Sequence, residues 1–215
     1  MQLNQYIDHT LLKPEATEAA IEQVIKEATE NSFYSIMVNP YWVKKVKAMV
    51  EGTDVKTACV IGFPLGANKT SVKVFEAEEA IADGADEVDM VMNIGEFKSG
   101  HYDLVQKDME AVVAAAHAKN VLVKVIIETA LLTDEEIKKA SELVMAAKAE
   151  FVKTSTGFST RGAAVNDVKI MKAAVGDTIA VKAAGGIHSA EDAEEMINAG
   201  ATRLGVSSSM KLIGK

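Results

Sequence analysis

Three lysines recur at a constant interval in short apolar runs of the sequence. Lys124, Lys153 and Lys182 each follow a valine, and 29 residues separate each lysine from the next. That interval accommodates one strand, one helix and two short loops, so three consecutive βα units would place a lysine on each of three adjacent strands. Burial and a neighbouring ammonium both favour the neutral amine, which is the form that attacks a carbonyl carbon. We therefore expect the three lysines to line a site that can form an imine.

Any one of these lysines, taken alone, has a simpler explanation. Most lysines lie at the surface, extend their stems along a strand end, or pair with a structural carboxylate. A lysine inside a strand also gives up hydration worth roughly several kcal/mol unless a partner compensates it. The regular spacing of all three is what favours a functional site.

Two carboxylates lie in similar apolar surroundings. Asp89 interrupts the apolar run of a predicted fourth strand, next to the strand that carries Lys124. A carboxylate there can move protons during catalysis, or it can serve only as the structural partner of Lys124. Asp8 lies on the predicted first strand, where it either contributes to the same polar interior or caps the strand end.

Two glycine-rich or serine-rich turns follow the last two predicted strands. Gly185 and Gly186 follow strand seven, and Gly205 leads into three consecutive serines after strand eight. In barrels of eight βα units, the loops after strands seven and eight often bind phosphate through backbone N–H groups. The two turns together predict a phosphate site near the lysines.

Alternating strand and helix patterns run through the whole chain and predict a single (β/α)8 TIM barrel as one domain, residues 1–215. A doubly wound open sheet is the alternative fold. Asn39 is a predicted N-cap with proline at the first helical position, Thr133 begins a capping box, Ser189 caps a later helix, and Asp83-Gly84 ends an earlier one. The predicted strands are residues 7–12, 33–38, 55–61, 87–92, 121–128, a segment containing Lys153, 178–183 and 202–207.

The composition excludes several classes of partner. A formal net charge of −8 argues against nucleic acid or an anionic membrane. Cys59 is the only cysteine, the amino terminus lacks a signal-peptide pattern, and no window is apolar enough to span a membrane, so we expect a cytoplasmic protein. The four histidines show no metal-ligand spacing and no nucleotide-binding glycine motif occurs, so no metal or cofactor is predicted.

Six segments of the chain resemble one family, the bacterial deoxyribose-phosphate aldolases, which are class I enzymes. The resemblance runs in order from about residue 8 to residue 209, and the segment around Lys153, Phe-Val-Lys-Thr-Ser-Thr-Gly-Phe, is its most specific part. The matching segments are residues 8–12, 87–95, 124–129, 151–158, 181–187 and 203–205.

This resemblance implies reversible cleavage of 2-deoxy-D-ribose 5-phosphate to acetaldehyde and D-glyceraldehyde 3-phosphate without a cofactor. It implies that Lys153 forms the Schiff base, that Lys182 lowers the Lys153 pKa and assists proton transfer, and that Asp89 relays protons. It also implies a homodimer acting in deoxyribonucleotide catabolism. The implied phosphate and sugar contacts are Thr156, Gly157, Gly185, Gly186, Gly205, Ser207 and Ser208, and the supporting polar interior is Asp8, Thr10 and Lys124.

Two departures from the family pattern stand out. His188 occupies a position after Gly-Gly-Ile where arginine is frequent, and the chain ends at Lys215 without the carboxyl-terminal tyrosine of some members. Two alternative functions remain open from the sequence. One is a sugar-phosphate-binding barrel without catalysis, and the other is a phosphosugar isomerase that uses its lysines only for electrostatics.

Overall fold

Eight parallel strands close into a barrel in the order in which they occur along the chain. The computed structural model describes residues 3–215. Closure pairs the first strand with the eighth, which confirms the predicted TIM barrel and excludes the open sheet. The strands are β1 (Ile7–Leu11), β2 (Ser35–Val38), β3 (Lys56–Ile61), β4 (Glu87–Val91), β5 (Leu122–Ile126), β6 (Phe151–Lys153), β7 (Ala180–Ala184) and β8 (Arg203–Val206).

Helices follow each strand and cover the outside of the barrel. They are α1 (Glu18–Glu30), α2 (Val43–Met49), α3 (Thr70–Ala82), α4 (Ile94–Lys98), α5 (Tyr102–His117), α6 (Asp134–Ala146), α7 (Val165–Val175), α8 (Ala190–Asn198) and α9 (Ser209–Leu212). Short 3-10 turns occupy Leu3–Tyr6, Pro40–Trp42 and Thr129–Leu131.

Most of the predicted helix ends are confirmed. Thr133 forms a complete capping box with Glu136, and Ser189 forms one with Asp192. Gly84 follows α3 with a φ of +103°, the left-handed conformation expected of a glycine that ends a helix.

One detail of the helix prediction is wrong. The segment after Asn39 begins with the 3-10 turn Pro40–Trp42 rather than an α-helix, and the Asn39 side chain makes no capping hydrogen bond. The segment after β4 contains the short helix α4, which the Asn93 side chain caps by accepting from the Glu96 N–H.

The apolar core has two parts. A large cluster lies between the outer face of the barrel and the helices, where the outward residues of every strand pack. A small cluster fills the barrel interior on the side of β1 to β3, where Leu12, Met37, Ala58 and Val60 meet and Phe63 packs against them. The interior next to β4 to β8 is instead occupied mainly by polar side chains. Within residues 3–215, no helix is both long and apolar enough to cross a membrane.

Candidate active site

A network of buried ionic side chains fills the polar half of the barrel interior. Its members come from six strands, and each is at most 5% exposed. Charged groups in such a place are tolerated only when each finds partners, because the desolvation cost is large. The members are Asp8, Glu87, Asp89, Lys124, Lys153, Lys182 and Arg203.

Asp89 lies at the centre of this network. Its Oδ2 accepts from Lys153 Nζ and from Lys182 Nζ, each at 2.8 Å, and its Oδ1 accepts from Lys124 Nζ at 2.8 Å. Burial alone would favour the neutral acid, but the three ammonium groups outweigh it and hold the pKa of Asp89 well below its usual value. One carboxylate thus contacts Lys124 and the other two lysines together, so Asp89 is a partner of Lys124, and its role in proton transfer stays a prediction.

Asp8 belongs to the interior and does not cap the strand end. Its Oδ2 accepts from Lys182, and its Oδ1 accepts from Ser35 Oγ at 2.7 Å and from Arg203 Nη1 at 2.9 Å. Thr10, predicted for the same interior, is half-buried nearer the mouth and donates its hydroxyl to the Asp8 carbonyl oxygen at 2.8 Å.

The three lysines meet around Asp89 in the buried interior, but they do not lie at one depth. Each lysine is the third residue of its strand, as the constant spacing suggests. However, Lys153 pairs directly with Lys182, whereas Lys124 pairs with Phe151, two residues before Lys153. Strands of a closed barrel are staggered relative to one another, and this stagger places Lys124 one layer deeper.

Lys124 is consequently a structural cation. Its Nζ lies 2.5 Å from Glu87 Oε2, 2.8 Å from Asp89 Oδ1 and 3.9 Å from Asp8 Oδ2. Burial works against its charge, but these three carboxylates outweigh that cost and raise the pKa of Lys124 above its ordinary value.

Lys153 has the fewest ionic partners of the four interior cations. It contacts only Asp89, through an oxygen that it shares with Lys182, whereas Lys182 and Arg203 each contact two carboxylates. Four cations face three carboxylates here, so the charges balance when one cation is neutral. Burial is the main cause that lowers the pKa of Lys153 to about 8, and repulsion from Lys182 adds to it against the attraction of Asp89.

Lys153 also borders the cavity at the carboxyl end of the barrel. This cavity has a volume of about 520 Å³ and reaches the turns after β7 and β8. Seven of the predicted supporting or substrate-contacting residues line it, namely Thr10, Thr156, Gly157, Gly185, Gly186, Gly205 and Ser207. Ser208 is not in its wall, but the Ser208 Oγ is buried and has no hydrogen-bond partner among the described residues.

The glycine turns of this cavity depend on the absence of side chains. Gly185 and Gly186 have φ angles of +79° and +76°, which favour glycine. A Cβ on Gly162, in the loop after β6, would lie 2.2 Å from the Gly185 carbonyl carbon. The Ala163 N–H donates to the Gly185 carbonyl at 3.0 Å, so the loops after β6 and β7 pack backbone against backbone.

Thr156 presents an acceptor to the cavity rather than a donor. Its hydroxyl donates to Glu128 Oε2 and accepts from the Phe158 N–H at 3.0 Å. Because the one hydroxyl hydrogen is committed to Glu128, only a lone pair is left for a substrate. Thr156 therefore fits a substrate hydroxyl better than a phosphate.

Four residues of this region were missed by the sequence reasoning. Glu87 and Arg203 complete the ionic network, Glu128 holds Thr156, and His9 lies in the cavity wall. Glu87 could have been found, because strand alternation places it on the same face as Asp89. No regular spacing in the sequence points to Arg203, Glu128 or His9.

An aromatic pair spans part of the mouth. Phe158, 52% exposed in the loop after β6, meets Phe63 of the loop after β3 edge to face at 5.2 Å between ring centroids. Phe63 in turn packs on the inner apolar cluster. The cavity is thus apolar on one side and ionic on the other, an arrangement that suits a small molecule with a reactive polar carbon and an apolar end.

Comparisons with known proteins give a consistent result. A family model described as DeoC/LacD family aldolase matches residues 3–209. The chain is 68% identical over 215 residues to a deoxyribose-phosphate aldolase of Lactiplantibacillus plantarum, with 100% of both chains covered. It is 57% identical to the corresponding enzyme of Enterococcus faecalis, with 99% of this chain and 96% of that one covered.

A solved structure supports the same assignment. The tetrameric deoxyribose phosphate aldolase of Aeropyrum pernix superimposes with a TM-score of 0.92 at 34% sequence identity, with 98% of this chain and 89% of that chain covered.

Proposed function

The chain belongs to the DeoC/LacD family of aldolases, and from that membership we propose that it cleaves 2-deoxy-D-ribose 5-phosphate reversibly to acetaldehyde and D-glyceraldehyde 3-phosphate through an imine on Lys153. The observation that carries this proposal is the state of Lys153. It is a buried amine at the floor of the cavity, its pKa is lowered to about 8, and it shares one carboxylate oxygen with a second lysine.

Position and charge both favour Lys153 over the other two lysines as the nucleophile. Lys153 lines the cavity, whereas Lys124 and Lys182 do not. Neutral Lys153 also leaves the interior with three cations, Lys124, Lys182 and Arg203, against three carboxylates, so the amine form is the electrically balanced one.

In the synthetic direction, the Lys153 amine adds to the carbonyl carbon of acetaldehyde. Loss of water from the resulting carbinolamine gives an iminium ion, whose positive nitrogen acidifies the adjacent methyl group. Removal of one methyl proton gives an enamine. The enamine carbon attacks the aldehyde of glyceraldehyde 3-phosphate, the aldehyde oxygen takes up a proton, and water then releases the sugar phosphate and restores the amine.

We assign the proton transfers to Asp89 and Lys182, which lie next to the Lys153 amine. Asp89 Oδ2 lies 2.8 Å from both Lys153 Nζ and Lys182 Nζ, so a proton can pass between the two lysines along one carboxylate oxygen. Lys182 is held on its other side by Asp8, which fixes the direction of its ammonium. These positions suit general acid–base assistance at the carbinolamine and enamine steps.

The phosphate end of the substrate is assigned to the turns after β7 and β8. The turn N–H groups of Gly185 and Gly186 are unhindered by side chains, and Ser207 and Ser208 add hydroxyl donors. His188 is exposed at the rim of this end of the cavity. Thr156 then faces the middle of the substrate as an acceptor for a sugar hydroxyl.

Reduction with borohydride in the presence of acetaldehyde tests this function directly. An imine-forming enzyme acquires one stable ethyl group on Lys153, which peptide mass mapping locates. Lys153→Leu should gain no adduct and should have no turnover. A phosphate-binding barrel without catalysis, or an isomerase that uses its lysines only as charges, would leave every interior lysine unmodified in the wild-type protein.

Further parts of the proposal concern assembly and location. We infer a homodimer acting in the cytoplasm on products of deoxyribonucleotide breakdown, and a single domain that unfolds as one unit. The match to enzymes named deoxyribose-phosphate aldolase along the full chain supports the pathway. Light scattering of the purified protein distinguishes a dimer from a tetramer such as that of the Aeropyrum pernix enzyme.

A further inference from the structure

His9 connects three elements of the fold through its ring nitrogens. Its Nε2 lies 2.8 Å from Glu27 Oε2 in α1, and its Nδ1 lies 2.8 Å from Ser209 Oγ in α9. His9 and Ser209 are both buried, and the Phe33 ring packs against the imidazole at 5.2 Å between centroids. The ring therefore forms a buried polar link from β1 to the helices on either side.

The Glu27 end of this link is itself held by a second hydrogen bond. The other oxygen of Glu27, Oε1, accepts from Gln23 Nε2 at 2.8 Å. Burial lowers the pKa of His9 even though Glu27 opposes that effect, so the ring is neutral at neutral pH. A neutral ring that donates to Glu27 carries its hydrogen on Nε2, and its Nδ1 then accepts the hydroxyl hydrogen of Ser209. This arrangement fixes the ring and the Ser209 side chain together.

The helix that receives this link is too short to hold its own position. It has four residues, and its backbone bonds to the preceding turn are long, with Leu212 N–H to Ser208 carbonyl at 3.3 Å. Isolated helices of this length are unstable in water, so tertiary contacts must position α9. The described side-chain contacts of α9 outside its own segment are the His9 bond, the approach of the Ser209 Oγ to the Val206 carbonyl of β8 at 3.2 Å, and a weak contact from Asn31 Nδ2 to Met210 Sδ at 3.6 Å.

Ser209 directly follows the two serines assigned to the phosphate end. Ser207 lines the cavity, and the buried Ser208 hydroxyl has no partner among the described residues, so it is free to donate to a ligand. A shift of α9 would move both serines relative to Lys153. The cavity wall itself includes His9 and Glu27, so the link runs along the same end of the cavity.

We propose that His9 is a positioning residue for the phosphate group of the substrate: held by Glu27, it fixes Ser209 and through it the Ser207-Ser208 turn. The inference rests on the proposed aldolase function and adds to it a residue that touches neither the reacting carbon nor the amine. It predicts that damage to the link weakens recognition of phosphorylated substrate and leaves imine chemistry unaffected.

The test compares cleavage of 2-deoxyribose 5-phosphate with cleavage of 2-deoxyribose, which lacks the phosphate. In Ser209→Ala, we expect kcat/KM for the phosphorylated sugar to fall about tenfold, as one buried hydrogen bond is lost, mainly through a higher KM. The rate on 2-deoxyribose should stay within about twofold of wild type, since it does not use the turn. Competitive inhibition of 2-deoxyribose 5-phosphate cleavage by inorganic phosphate should weaken in parallel.

Two substitutions of His9 separate the ends of the link. His9→Gln places an amide donor near the position of Nε2, so it retains the Glu27 contact and loses Ser209. His9→Asn places an amide near Nδ1, so it retains Ser209 and loses Glu27. We expect His9→Gln to resemble Ser209→Ala and His9→Asn to be milder. Ser99→Ala, which removes an exposed serine hydroxyl bonded to the Gly95 carbonyl, is the matched control.

The outcomes are distinct. Equal losses on both sugars in Ser209→Ala would show a general structural role and overturn the proposal, and so would an unchanged ratio of the two rates. If the His9 variants fail to fold, Ser209→Ala alone decides, because it removes a single oxygen atom. Failure of the aldolase function looks different: the wild-type protein would then cleave neither sugar and gain no ethyl group.

Discussion

Lys153 and Lys182 lie directly opposite each other on β6 and β7, and both donate to the same oxygen of Asp89. Two ammonium groups at that separation repel, and a single carboxylate cannot neutralise both. Lys182 has Asp8 as a second partner, whereas Lys153 has none. The proton is therefore lost from Lys153 first, and the paired arrangement determines which amine becomes nucleophilic.

Asp89→Asn should separate imine formation from turnover. The amide keeps the shape of the side chain but cannot take up a proton, so we expect kcat to fall by ~10²-fold. The ethyl adduct on Lys153 should still form, because removing the carboxylate removes an attraction that raises the Lys153 pKa. Steady-state rates and borohydride trapping of the same protein measure the two effects.

Glu87→Gln is the matched control for that change. Glu87 lies on the same face of β4, two residues before Asp89, and contacts Lys124 and Arg203 but not Lys153. We expect its kcat to stay within a few-fold of wild type even if the variant is less stable. Comparable losses of kcat in both variants would argue that charge balance, and not proton transfer, is what Asp89 supplies.

The rate of imine formation should rise with pH to a plateau. The reactive species is the neutral amine, and the pKa of Lys153 is lowered to about 8. At pH 7 about one tenth of the molecules carry the neutral amine, against roughly one in a few thousand for an unperturbed lysine. The initial rate of trapping with acetaldehyde, measured between about pH 6 and 10, should therefore increase up to the region of pH 8 and then level off.

Lys182→Met should move that profile to higher pH. The substitution removes the ammonium that repels a proton from Lys153 and keeps a side chain of similar length. Lys153 then retains the attraction of Asp89 without the opposing charge, so its pKa rises. If the midpoint of the pH profile does not move, or moves to lower pH, the Lys182 charge does not lower the pKa of Lys153 and burial alone accounts for it.

The strands and their order could be predicted because apolar runs buried on both faces alternate with amphipathic helices. The spacing of Lys153 and Lys182 also predicted correctly that they lie side by side on neighbouring strands. The depth of Lys124 could not be predicted, because it depends on the stagger between β5 and β6, which belongs to the closed barrel and not to either strand.

The hydrogen-bond and ion-pair partners of the site residues were harder to predict than the site residues themselves. Arg203 and Asp8 are far apart in sequence and meet only because β8 closes on β1. Glu128 directs the Thr156 hydroxyl from a left-handed backbone conformation with a φ of +55°, which is unusual for a residue other than glycine. Such relations follow from tertiary geometry and leave no periodic pattern in the sequence.

Asp8→Asn should destabilise the protein and should make its free energy of unfolding less sensitive to acidic pH. Burial favours neutral Asp8, but Lys182, Lys124 and Arg203 outweigh it and hold the pKa of Asp8 well below its usual value. A depressed carboxyl pKa stabilises the fold above the unfolded pKa of about 4, and that stabilisation is lost as the pH falls. Removing the charge leaves buried cations underpaired, at a cost of about 3–5 kcal/mol.

Urea unfolding of Asp8→Asn at pH 7 and at about pH 3, below the unfolded pKa of about 4, measures both effects. Wild-type stability should decrease on acidification by more than that of the variant. Asp177→Asn is the matched control, since this carboxylate is fully exposed and pairs only with Lys172 at the surface. We expect no measurable change there, and an equal effect at both positions would contradict a special role for the interior pair.

A second buried ion pair, outside the barrel, should affect stability without affecting catalysis. Lys73 of α3 is completely buried, and its Nζ donates to Asp108 Oδ2 of α5 at 2.6 Å and to the Val91 carbonyl at 3.0 Å. Lys73→Met leaves the Asp108 carboxylate with only the Thr70 hydroxyl, so we expect a loss of about 3–5 kcal/mol.

The double variant Lys73→Met with Asp108→Leu should recover much of that loss, because an apolar pair of similar volume avoids burying an unpaired charge. Both variants should keep the wild-type kcat while folded, since neither residue lines the cavity of Lys153. Urea unfolding of the wild type, the single variant and the double variant at one pH gives the three free energies. A double variant as unstable as Lys73→Met would show that packing between α3 and α5, and not the unpaired carboxylate, accounts for the cost.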